Sequence, residues 1–140
     1  MSKKYYLLFL LGIFVCNVAT GNETIVAKEV EGYMIDNGKV KNSTPQFEIT
    51  YVIDGDIITR TKVYDFKNKK NINDNTVYKI QRQLLSDPTK GMSISGKIVI
   101  RAIGQPGSNA IEILTISSKF IDSLKSTADY FIFSRQQRLN

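Results

Sequence analysis

Residues 117–134, SSKFIDSLKSTADYFIFS, decide the fold class of this chain. Phe120, Ile121, Leu124, Ala128, Phe131 and Ile132 recur at helical spacing, and Lys119, Asp122, Lys125 and Asp129 fall mostly off that stripe. Ser117 or Ser118 stands where a helix N-cap belongs. The spacing predicts a C-terminal helix packed on a sheet, with a helix that docks on a partner as the alternative. Residues 135–140 are polar and read as a frayed end.

Working back from that helix, Ala110 to Ile116 reads as a strand paired with Ile94 to Ile103 across the turn-rich loop Gly104 to Asn109. In the earlier strand Ile98, Ile100 and Ala102 face one way, and Lys97, Val99 and Arg101 the other. Val77, Ile80 and Leu84 again suggest a helix, with Tyr78 and Leu85 beside them. Asp74 or Asn75 can cap it, and Ser86-Asp87-Pro88 stops it. Lys67 to Asn75 reads as a polar loop, and so does Lys39 to Pro45.

Residues 25–35 read as a first strand ending at the turn signal Asp36-Asn37-Gly38. Gln46 to Ile53 alternates apolar and polar, and Ile57 to Phe66 resumes after Asp54-Gly55-Asp56, so the two form a β-hairpin. A two-residue Asp-Gly loop is the better turn chemistry, but a three-residue loop gathers Phe47, Ile49, Tyr51, Ile53, Ile57, Thr59 and Val63 on one face. Burial favours the longer loop. The resulting order, β-β-β-α-β-β-α, predicts an α+β domain with a C-terminal helix. Its sheet is either small and antiparallel or an OB-like five-stranded barrel.

The start of the chain bears on compartment. Lys3 and Lys4 precede an apolar run from Tyr5 to Cys16, and Ala19-Thr20-Gly21 places small residues where a signal peptidase reads. The run is too short for the roughly 20 residues of a transmembrane helix. Residues 1–21 are therefore expected to be a signal peptide and 22–140 a single mature domain, periplasmic or secreted. Cleavage before Cys16, with lipidation of that cysteine and anchoring to the membrane, is the alternative. Bulky Val15 argues against it.

Removing Lys3 and Lys4 lowers the formal charge from +6 to +4. The mature part holds no cysteine, histidine or tryptophan. Disulfides, the common zinc sites, and Ser-His-Asp or Cys-His nucleophile systems are thereby excluded. No catalytic residue, metal ligand or cofactor is assigned. Asp54, Asp56 and Asp65 match no calcium loop and read as hairpin chemistry. Asn22-Glu23-Thr24 and Asn42-Ser43-Thr44 fit the N-glycosylation pattern, the second disfavoured by Pro45.

The candidate contact surface is Arg60, Lys62, Lys67, Lys69, Lys70, Lys97 and Arg101. With Tyr51, Tyr64 and Tyr78 nearby, such residues on a barrel face would suit single-stranded nucleic acid, but an exported protein is not expected to meet it. The leading expectation is a non-enzymatic envelope protein, an accessory, adaptor or assembly factor that works through an envelope protein partner. The alternatives are a secreted carboxylate- and metal-dependent hydrolase or nuclease, and a module that binds an anionic surface.

Overall fold

The computed structural model describes residues 22–82 and 100–140. Ten strands run through them: β1 (Glu23–Asp36), β2 (Lys39–Asn42), β3 (Phe47–Asp54), β4 (Ile57–Asp65), β5 (Lys70–Ile72), β6 (Val77–Arg82), β7 (Ile100–Gly107), β8 (Ala110–Ile116), β9 (Phe120–Ser126) and β10 (Tyr130–Arg138). Eight of them form a closed antiparallel barrel in the order β1-β3-β4-β6-β7-β8-β9-β10, and β10 pairs back onto β1. β2 and β5 are short additions on β1 and β4.

Closure depends on the length of β1. Its first half pairs with β3, from Glu23↔Ile53 to Lys28↔Glu48, and its second half with β10, from Ala27↔Arg138 to Asp36↔Tyr130. A bulge between Glu29 and Glu31 separates the halves and bends the strand around the barrel. Beyond β10, the Leu139 N–H donates to the Val26 carbonyl at 2.8 Å, which extends the seam.

This architecture corrects the predicted fold class. No helix occurs among the described residues, so the chain is all-β there rather than α+β. Closure is by an eight-stranded meander, not by an OB-like five-stranded barrel. The predicted C-terminal helix is the hairpin β9–β10. Ser117 does not cap a helix; it and Thr127 each close a hairpin turn. The Ser117 N–H donates to the Phe120 carbonyl at 2.9 Å and the Thr127 N–H to the Tyr130 carbonyl at 3.0 Å. The Phe120 and Tyr130 N–H groups donate back to the two hydroxyls at 3.0 and 3.1 Å. A hydroxyl that accepts from a backbone N–H serves a turn as well as a helix start.

The helix expected after Asn75 is strand β6 as far as Arg82, and the rest of that prediction lies outside the described residues, as do residues 94–99 of the next predicted strand. The two polar loops each contribute a strand, β2 and β5. The turn at Asn37-Gly38 is as predicted, with φ of 48° and 73°, the type I′ pattern.

The β3–β4 hairpin follows neither of the two registers weighed from sequence. Asp54 pairs with Ile57, so Gly55 and Asp56 form the two-residue loop, with Gly55 at a φ of 57°. Positive φ at the first loop position suits glycine. Tyr51 then faces Arg60, and a bulge beside Thr61 resets the phase so that Val63 and Asp65 also point inward. The core holds Ile25, Ala27, Ile49, Tyr51, Ile58, Val63, Tyr78, Ala102, Leu114, Ile116 and Ile121. Gly104 is required by that packing. A Cβ there would stand 2.6 Å from Tyr78 Cδ1 and 2.7 Å from the Val77 carbonyl oxygen.

Candidate functional site

The barrel interior is polar at its middle. Arg60 points inward from β4 and is 9% exposed. Its Nη1 donates to both carboxylate oxygens of Glu112 at 3.1 Å, and its Nη2 reaches Asp74 Oδ2 at 2.7 Å and Thr76 Oγ1 at 3.2 Å. Glu112, on β8 and 3% exposed, also accepts from the Tyr78 hydroxyl at 2.9 Å and the Ser123 hydroxyl at 2.6 Å. The Tyr51 hydroxyl donates to Gln136 Oε1 at 3.0 Å. A second buried carboxylate, Glu29, accepts from the Ser134 hydroxyl at 2.9 Å and the Gln46 N–H at 2.7 Å.

Burial disfavours the Arg60 charge, but Glu112 and Asp74 outweigh it and hold the guanidinium protonated. Burial, reinforced by Glu112, pushes the Tyr51 and Tyr78 phenols well above their ordinary range, so both remain neutral donors. These groups satisfy one another except for the Arg60 Nε, which is buried without a hydrogen-bond partner. Among the described residues no three carboxylates converge to hold a metal ion.

Asp74 and Asp65 give the interior a pH dependence. Burial would raise both, but hydrogen bonds prevail and hold them below the ordinary carboxylate value of 3.8. Thr76 and Arg60 lower Asp74; the Asn68 backbone and side chain and Gln46 lower Asp65. A depressed folded-state pKa contributes stability above the unfolded value and loses it as pH falls through the folded one. Stability is therefore expected to drop as pH falls below about 4. Asp74→Asn and Asp65→Asn should each flatten that limb in urea unfolding measured against pH; an unchanged limb would contradict the assignment.

The outer wall is divided. On β7, β8, β9, β10 and β1, outward positions form an apolar row in cross-strand register: Ile103, Ile113, Leu124, Phe133 and Tyr33. A second row holds Ile111, Ser126, Phe131, Ile35 and Val40. The Phe133 and Tyr33 rings stack at 4.9 Å. Below them runs a charged row, Arg101, Thr115, Asp122, Arg135 and Glu31. Arg135 grips Asp122 through two contacts of 2.8 and 3.0 Å. A surface depression of about 310 Å³ lies between these rows, lined by Arg101, Ile113, Thr115, Asp122, Leu124 and Phe133. The opposite wall presents Lys62 and Lys79, while Lys28 lies on β1 beside Gln137 of β10. Two apolar rows span about 7 Å of strand, against the apolar belt about 25 Å tall of a membrane barrel.

The structure disperses the contact surface expected from sequence. Arg60 is not on it: the side chain is inside the barrel, because the two-residue turn puts it in phase with Ile58. Lys62, Lys67, Lys69 and Lys70 are exposed along β4 and the following turn. Arg101 is exposed on β7, across β6 from them, and belongs to the apolar wall. Lys97 and Cys16 lie outside the described residues. Tyr51 and Tyr78 are fully buried, so the aromatic platform expected of a nucleic-acid face is not assembled there. Asp54 and Asp56 sit at the turn of β3–β4, and Asp65 at the far end of that hairpin.

Sequence reading passed over Glu112 and the apolar outer rows. Glu112 shares its phase with Leu114 and Ile116, and a lone carboxylate on an apolar face is the signal for a buried partner. Comparison with protein-family models, with curated proteins and with solved structures found no match.

Proposed function

We propose that this chain is an exported, non-enzymatic binding module that acts by protein–protein contact through the β7–β10 and β1 wall. The observation that carries the reading is the two-row apolar wall itself. It leaves Val40, Ile111, Phe131, Leu124 and Ile35 between 36% and 65% exposed. Contiguous apolar surface is costly to leave in water and marks interaction sites. The inward polar groups, by contrast, are engaged with one another. An accessory or adaptor role in an envelope fits this division of labour.

Site-specific photo-crosslinking tests it. A crosslinker at Phe131 or Ile111 should give discrete protein adducts in cells, whereas one at Lys62 on the opposite wall should not. Equal, diffuse labelling at all three positions would defeat the reading. A second reading is favoured by the exposed group Lys62, Lys67, Lys69 and Lys70, which suits an anionic surface. It requires binding to anionic vesicles that weakens steeply with salt.

A further inference from the structure

We propose that the apolar wall of β7–β10 and β1 binds the same wall of a second copy of this chain. This rests on the reading above that the wall is a contact surface, and names its occupant.

Size is the first argument. Val40 is 65% exposed, Ile111 and Phe131 49%, Leu124 43% and Ile35 36%. Together they offer about 500 Å² of apolar surface, at the upper end for the largest patch on a monomer. Half-buried Tyr33, Ile103, Ile113 and Phe133 lie among them, and the charged row borders them.

Charge is the second argument. A chain of formal net charge +6, or +4 without residues 1–21, repels its own copy unless the meeting faces are neutral. On this wall Arg135 is paired with Asp122 at 2.8 Å. Lys62, Lys67, Lys69, Lys70 and Lys79 project elsewhere, so wall-to-wall association keeps them apart. An anionic membrane would draw a surface whose apolar and basic residues share one side; here Lys62, Lys67, Lys69, Lys70 and Lys79 lie away from the apolar rows. The charged row is also self-complementary. Its order is Arg101, Thr115, Asp122, Arg135, Glu31. A two-fold axis running along the junction of β9 and β10 sets each copy's Asp122 against the other's Arg135. Such an isologous contact closes at two copies.

Sedimentation velocity on the purified protein, over roughly 1–100 µM, tests the proposal. The protein should move as a dimer at the upper concentrations. Phe131→Glu and Ile111→Glu should each weaken association at least tenfold while leaving the circular dichroism spectrum unchanged, and Lys62→Glu should leave the dimer intact. Leu124→Ser serves the same purpose if a glutamate variant fails to fold. A monomer throughout, or a dimer indifferent to these wall substitutions, overturns the proposal. A monomer that still crosslinks to one other protein through Phe131 overturns the second copy but keeps the wall as a contact surface. A monomer without that crosslink overturns both.

Discussion

Glu112→Ala is expected to cost about 3–5 kcal/mol of folding stability, the range found when one partner of a buried ion pair is removed. The carboxylate holds two contacts from Arg60, one from Tyr78 and one from Ser123. Its loss leaves a guanidinium in the barrel with Asp74 as its remaining charged partner. The Arg60 Nε already lacks a hydrogen-bond partner, so little compensation is at hand. Removing both charges, as Arg60→Met with Glu112→Leu, should cost less than Glu112→Ala alone, because no buried charge is then unpaired. Urea unfolding with a constant m-value measures both. A loss below about 1 kcal/mol for Glu112→Ala would mean that the cluster is not structural. The interior would then displace the outer wall as the candidate site.

Leu114→Ala is expected to cost about 3 kcal/mol, within the 2–5 kcal/mol span for a fully buried leucine. Leu114 is 0% exposed. Its cross-strand neighbours are Ala102 and Ser123, both too short to fill the space it would leave. Closed barrels relax poorly, since each strand is held on both edges. Ile111, one residue before Glu112 in phase with the outer rows, is the control. Being 49% exposed, its replacement by alanine should change stability by less than about 1 kcal/mol. Thermal or urea unfolding of the two variants separates an inward position from an outward one on a single strand. Comparable losses would contradict the assignment of faces on β8.

Sequence reading found β1, β3, β4 and β8 because apolar residues mark many of their inward positions, and the turns after β1 and β3 carry Asn-Gly and Gly-Asp. It failed over residues 117–138 for a specific reason. There the inward positions include Ser123, Ser134 and Gln136, while Leu124, Phe131 and Phe133 point outward. A barrel with a polar middle and an apolar wall inverts the usual pattern. Two such strands joined by a short turn can mimic a helical stripe. The misplaced Arg60 and the mistaken hairpin register are one error. The three-residue loop put Ile57 and Thr59 inside and Ile58 and Arg60 outside; the observed loop reverses this. The partner that makes a buried arginine tolerable, Glu112, is 52 residues away in the chain. Local pattern could not supply that contact.

The seam between β1 and β10 has a consequence for how the barrel is made. The strands that meet there are the first and tenth, and Val26 is held on its N–H and carbonyl by Asn140 and Leu139. Closure therefore waits until β10 and the residues just after it have paired with β1. Until then the chain is an open meander with two unpaired edges and its apolar rows in water. Such long-range pairing is slow to form, and the open state is the one most exposed to edge-to-edge aggregation.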